Sequence, residues 1–170
     1  MIPRTMMSPD KVLRLATLLL LAVPICFALA TTRAVDAQAP SDKLPEAPAK
    51  ATVVRLCTSC HDSSIITDAP RTVAGWDDMM YLMKDFGAMG TEEEWKTVFE
   101  YLVTHLALLE VNKAEAAHVR LVFGVSETVA ADVVAYRDKQ GGFKTIDDLK
   151  KAPGLDAAKV DALKDRLLFR

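Results

Sequence analysis

Hydrophobic positions are arranged in three ways along this chain. Leu15 to Ala30 is an apolar run with Pro24 inside it, and Thr31 to Lys50 is rich in Ala and Pro without any period. From Ala51 onward apolar residues recur at helical spacing. The pattern predicts a first helix over Ala51 to Cys60, a loop through Arg71, a helix from near Thr72 to Gly87, and a third from Thr91. There Thr91-x-x-Glu94 makes a capping box, and Trp95, Val98, Phe99, Leu102 and Leu106 mark one buried face.

Leu109 to Arg170 has its own order and an internal repeat. Val122-Phe123-Gly124-Val125-Ser126 and Ala152-Pro153-Gly154-Leu155-Asp156 each sit between helical stretches, with Gly141-Gly142-Phe143-Lys144 separating the two units. Gly141-Gly142 ends a helix, and Thr145-x-x-Asp148 caps the next. Val129, Val133, Val134 and Tyr136 support the middle helix, and Leu149, Val160, Leu163 and Leu167 the second hairpin; His118 falls on the solvent side. The expected fold class is all-α: a three-helix module over 51–108 and a two-hairpin module over 109–170.

Composition narrows the classes. With 51% hydrophobic residues and 21 Lys+Arg against 23 Asp+Glu, the 170-residue chain is neither a disordered polyelectrolyte nor a multi-span membrane protein. Its net charge of −2 lacks the basic excess of a nonspecific nucleic-acid binder. The acidity is local: residues 51–108 carry 4 basic and 9 acidic side chains, and 109–170 carry 11 and 10.

Arg4, Lys11 and Arg14 ahead of the apolar run, and Ala28-Leu29-Ala30 at its end, read as a signal peptide over 1–30, with Ala37 a second cleavage point. The run is short of the ~20 residues that span a bilayer, so a retained anchor is the minor alternative. Cys26 lies in the run behind the bulky Ile25 and is expected to leave with the signal. Residues 31–50, with Pro40, Pro45 and Pro48, read as a disordered tether. The expected location is the periplasm or another extracytoplasmic compartment.

Two cysteines remain, Cys57 and Cys60, with His61 directly after them. Cys-x-x-Cys-His is the attachment pattern of c-type haem, in which two thiols add to the vinyl groups and the imidazole reaches the iron. The competing readings are a plain disulfide, half of a zinc site, or a redox pair. Zinc lacks a second cysteine pair, and Ala51 to Leu56 reads as helix where a thioredoxin-like pair has a strand. A 58-residue segment, Ala51 to Leu108, is also short for an unaided core, which a bound macrocycle would complete. One haem c is therefore the expected cofactor, held by Cys57 and Cys60 with His61 as proximal ligand. Met79, Met80, Met83 and Met89 are the candidates for the sixth position.

Cys57-Thr58-Ser59-Cys60-His61, followed by Arg71-Thr72, Trp76, Met83, Gly87-Ala88, Trp95 and Tyr101-Leu102, resembles the small monohaem cytochrome c modules related to the haem domains of quinohaemoprotein amine dehydrogenases. The resemblance implies Met83 as distal ligand, with Met89 the alternative and Met79 and Met80 left to packing. His105, one step off the buried face, is given a surface or helix-end role.

Val111-Asn112-Lys113-Ala114, Val133 to Arg137 and Gly142 to Leu149 resemble the tandem helix-hairpin-helix domain of competence-type DNA receptors. In such hairpins a Gly-hydrophobic-Gly turn aims backbone N–H groups at a phosphate. Here Ser126 and Asp156 replace the second glycine and Phe123 a proline. Either Ser126 or Asp156 can cap its helix through its own side chain, and Lys150-Lys151 reads equally as a solvated helix end or as a contact patch.

The chain shows no nucleophile with a placed base, no phosphate loop and no metal cluster beyond the haem pattern, so it is not expected to be an enzyme. The expected function is an exported c-type cytochrome that carries electrons, with the hairpin module as a docking unit. Its partner would be a redox protein or dehydrogenase subunit with a basic patch. Two other functions are a periplasmic DNA receptor with a fused haem, DNA being the disfavoured partner, and a haem-based sensor.

Overall fold

The computed structural model describes residues 43–170. The signal peptide expected over 1–30 and the first part of the tether, 31–42, lie outside the described residues.

The rest of the expected tether is packed. Leu44 is buried among core residues, and the Tyr101 hydroxyl donates to the Pro45 carbonyl at 2.6 Å. Composition alone hides this, because one leucine in a Pro-rich stretch has no period. Helix α1 then runs Lys50–Cys57 and stops short of the predicted Cys60. Thr58 ends it: both its N–H and its Oγ1 donate to the Val54 carbonyl, at 2.9 and 2.7 Å. A hydroxyl that competes for backbone in this way favours a turn over another helical residue.

The segment predicted as a loop holds a one-turn helix, α2, Ser64–Thr67, which buries Ile66. Helix α3, Val73–Asp85, starts at Thr72, whose Oγ1 accepts from Gly75 N–H. Helix α4, Glu92–His105, begins with the predicted Thr91–Glu94 capping box. The segment therefore carries four helices where three were expected, and the all-α class holds in its coarse form.

The second half opens with a two-residue strand, β1, Leu109–Glu110. Helices α5, Ala116–Phe123, and α6, Glu127–Gln140, form the first hairpin about Gly124. The second follows as α7, Ile146–Leu149, and α8, Ala157–Ala162. A 3-10 turn, Lys164–Arg166, leads into β2, Leu167–Leu168, which pairs in parallel with β1 in the register Leu109–Leu167 and Glu110–Leu168. That pairing was not predicted; a two-residue strand leaves no alternation to read.

Helix α4 serves two hydrophobic cores. Trp95, Val98, Tyr101 and Leu102 pack with Val53, Leu56, Ile66 and Trp76, while Val103 belongs with Leu109, Val119, Phe123, Val133, Phe143, Leu149 and Val160. The C-terminal turn ties the two together. Arg166 donates through Nε, Nη1 and Nη2 to the carbonyls of Ala107, Thr104 and Val103 at 2.9, 2.9 and 2.8 Å. The Val103 and Thr104 oxygens are ones that the end of a helix leaves without intrahelical partners, and Ala107 lies just beyond that end. Leu108 N–H also donates to the Arg71 carbonyl at 2.8 Å. The described residues, 43–170, accordingly lie in one compact unit.

Candidate functional site

The cleft that collects the sequence's candidate residues lies between α1, α3 and α4. Cys57 and His61 contribute to one wall, Met79, Met80 and Met83 come from α3, and Trp95, Val98 and Leu102 from α4. Arg71 and Trp76 complete the lining used here. The enclosed space is about 140 Å³, with a mouth open to solvent. The three methionines share the cleft because α3 presents positions 79, 80 and 83 inward, at helical spacing.

Placement separates the candidates. Cys57 closes α1 and is half-buried, whereas Cys60 lies in the following turn and is exposed, outside the lining. Both thiols are free. Burial pushes the Cys57 thiol up to about 11, opposite to the depressed value of a thiol-redox or zinc-binding cysteine. His61 is half-buried on the lining and its Nδ1 lies 3.3 Å from the Asp62 carbonyl.

Met83 is in the cleft, while the alternative, Met89, is 85% exposed and outside it. Beside Met89, the backbone at Gly90 passes so near Leu56 that a Cβ there would lie 2.6 Å from Leu56 Cδ2, which leaves the neighbouring side chain the solvent side. Met79 and Met80, assigned by sequence to packing, line the same cleft as Met83. His105 is away from it, its ring tilted on that of Tyr101 at 4.8 Å, and His118 meets the edge of Phe99 at 6.2 Å and is half-buried, where solvent had been predicted.

The sequence did not single out Arg71 or Trp76 for a polar role. The Arg71 guanidinium lies over the Trp76 ring, Cζ 5.3 Å from the centroid, and Arg71 Nε and Trp76 Nε1 are both buried without a hydrogen-bond partner. A buried donor left unpaired costs about 1–3 kcal/mol. Both residues line the cleft, whose other lining residues are mostly apolar or sulfur-bearing. Its donor set of Cys, His and Met, its apolar walls and these two donors fit a haem.

The hairpins are built as their turn residues dictate. Gly124 and Gly154 take positive φ of 63° and 75°, a region that only glycine enters freely. Ser126 Oγ accepts from Val129 N–H at 3.2 Å and Asp156 Oδ1 from Ala158 N–H at 3.0 Å. Both replacements thus engage N–H groups that a phosphate would otherwise use. Lys150 pairs with Asp161 at 2.6 Å and Lys151 with Asp148 at 3.1 Å, and these carboxylates hold both ammonium groups above the usual lysine value. Asn112, to which the sequence gave no role beyond the hairpin resemblance, clamps Phe143 with two hydrogen bonds: Nδ2 donates to the Phe143 carbonyl at 2.9 Å and Oδ1 accepts from Phe143 N–H at 2.7 Å.

Residues 107–168 match the family profile of the helix-hairpin-helix motif. The chain is also similar to Endonuclease/exonuclease/phosphatase family domain-containing protein 1 from Danio rerio, 35% identical over 66 residues, and from Xenopus laevis and Homo sapiens, 33% and 32%. In each case the match covers 39% of this chain and 12% of the relative's own length. No solved structure matches.

These findings correct the expectation that cytochrome c, haem iron, metal binding and electron transfer are the terms that describe this chain. The family match covers residues 107–168, and its helix-hairpin-helix motif suggests nucleic-acid contact. Among the described residues no group of three or more His, Cys, Asp or Glu side chains could hold a metal ion. Beside His61 the cleft offers the Cys57 thiol and methionine sulfur, a set without the carboxylate or second imidazole that a hard divalent cation takes. No described helix is long and apolar enough to cross a membrane.

Proposed function

We propose that residues 43–108 hold one covalently attached haem and that the helix-hairpin-helix unit docks this haem-bearing body on a macromolecular partner. The observation that carries the reading is the convergence of Cys57, His61 and Met83 on one apolar cleft, reached from a helix end, a turn and a separate helix. Cys57 and Cys60 would make the thioether bonds, His61 would be the proximal ligand and Met83 the distal one. When bound, the haem supplies a one-electron redox couple. The protein's own part is to exclude water with Trp95, Val98 and Leu102 and to anchor the cleft to the second half through α4.

Attachment at Cys-x-x-Cys-His suits an extracytoplasmic chain, and the acidic charge of residues 51–108 suits a partner with a basic patch. The test is the optical spectrum and intact mass of the full chain produced alongside a c-type maturation system. The expected product is coloured and one haem heavier, with Cys57→Ala/Cys60→Ala colourless. Wild-type protein that stays colourless and unmodified overturns the reading.

A second reading follows from the match over 107–168: this unit contacts nucleic acid. Duplex binding by the full chain that weakens as salt rises supports it, and no binding near physiological salt sinks it. The caps at Ser126 and Asp156 and the paired Lys150 and Lys151 favour a protein partner.

A further inference from the structure

We propose that a second cavity, in the seam between the two halves, is the docking site for one arginine or lysine side chain of a partner protein. The inference rests on the docking reading above and does not depend on haem. Val73 and Asp77 of α3 and Phe99 of α4 form one side of the cavity, and Leu109 of β1, Glu115 and His118 of α5 the other. The enclosed space is about 410 Å³, with a mouth open to solvent. Its floor is apolar: Leu109 is buried, and Val73 and Phe99 pack half-buried against the same core. The His118 ring meets Phe99 edge-on at 6.2 Å and gives the cavity an aromatic side.

The charged groups of the lining are unequally committed. Lys113 pairs with Glu110 at 2.9 Å, and Arg170 reaches the same carboxylate at 3.0 Å. Asp77 and Glu115 enter no ion pair or side-chain hydrogen bond among the described residues. Glu115 stands at the N-cap of α5, yet its side chain makes no capping bond. Two spare carboxylates over an apolar floor fit a cation carried on an apolar stem, whose methylenes cover the floor while its head meets the acids. A bare metal ion does not fit, because no group of three or more ligating side chains is present among the described residues. Nor does a free small molecule: Asp77, Lys113 and Glu115 are exposed, so such a ligand would fall short of the roughly 70–90% burial usual in small-molecule sites. A side chain presented on a larger surface brings neighbours that cover the mouth. The 9 acidic against 4 basic side chains over 51–108 draw a basic surface toward this seam.

The test follows the amide signals of the isotope-labelled full chain by NMR during titration with three probes. These are N-acetylarginine methylamide, its citrulline analogue, which keeps the shape without the charge, and the blocked peptide Ala-Leu-Arg-Leu-Ala. Signals around Asp77, Phe99, Glu115 and His118 are expected to shift saturably with the arginine compound and little with the citrulline one. The peptide is expected to bind more tightly, and rising salt to weaken both. Asp77→Asn/Glu115→Gln is expected to weaken binding about tenfold, the worth of two partly exposed ion pairs, with signals away from the cavity unchanged; Asp85→Asn, outside the cavity, leaves binding as in wild type. No saturable shift, equal shifts with the citrulline compound, or undiminished binding by the double variant overturns this inference and leaves the docking reading standing, because that reading requires no particular cavity. A peptide that binds no more tightly than the single residue overturns the assignment to a protein side chain and, with it, docking at this seam.

Discussion

Arg166 Nη2 donates to the Val103 carbonyl at 2.8 Å across 63 residues of chain. With the bonds to Thr104 and Ala107, one guanidinium closes the C-terminal end of α4, where a positive charge also meets the negative end of the helix dipole. Burial holds the Arg166 pKa below its usual value, so the charge is partly desolvated and its hydrogen bonds are worth more than surface ones. Arg166→Leu is expected to cost about 2–4 kcal/mol, since it leaves three carbonyls without their donor. Urea unfolding followed by circular dichroism checks this; a loss below about 0.5 kcal/mol would mean that water caps the helix as well as arginine does.

The same guanidinium acts on His105 in the last turn of α4. Desolvation first, then the charges of Arg166 and Lys159, hold the imidazole below its usual value near 6.5. The fold therefore prefers the neutral ring. Above pH 6.5 folded and unfolded chains are both neutral there, and the full contribution is present. As pH falls through 6.5 the unfolded chain takes up a proton that the folded one resists, so stability declines toward the folded pKa. Wild type is expected to lose stability between pH 7 and 5 more steeply than His105→Gln. Parallel urea midpoints over that window would count against the assignment.

What the sequence disclosed was what is encoded locally. The Thr91–Glu94 and Thr145–Asp148 boxes, the Ser126 and Asp156 caps and the Gly141 stop each span a few residues, and each is present. Cys57 and His61 on the cleft were legible because Cys-x-x-Cys-His is a rare pattern, whereas Met83 was singled out among four methionines only by the family resemblance. The roles of Arg166 and Asn112 were not, because each acts on backbone 31 or more residues away. Nothing in a periodicity marks such a partner. Leu44 escaped for a related reason: an isolated apolar residue declares its burial only when the surface it covers is known.

Gly154 and Gly124 hold corresponding turns with different surroundings. A Cβ on Gly154 would lie 2.8 and 2.9 Å from the two methyl carbons of Val129, whereas one on Gly124 would meet nothing within 4 Å. Both have positive φ, so alanine is strained at either, by about 1–2 kcal/mol. Only Gly154→Ala adds a clash between the hairpins, with overpacking worth about 1–3 kcal/mol more. Thermal unfolding is expected to rank the variants wild type, Gly124→Ala, Gly154→Ala. Equal losses would show that Val129 moves aside freely, and Gly154→Ala/Val129→Ala tests this directly by recovering the added part.

The methionines offer the sharpest check on the proposed haem. Met83 lines the cleft and Met89 faces solvent, so only the first can reach a ligand there without rebuilding the loop pinned at Gly90. In haem-loaded protein, Met83→Ala is expected to give a high-spin spectrum and open the iron to carbon monoxide, while Met89→Ala leaves the spectrum unchanged. Met79 and Met80 share the cleft and supply the control: their alanine variants are expected to lose packing stability, about 2–5 kcal/mol at most for a buried methionine, and to keep a low-spin iron. A high-spin Met79→Ala or Met80→Ala beside a low-spin Met83→Ala would move the sixth ligand along α3. A high-spin Met89→Ala would require the loop after α3 to close over the cleft when haem binds.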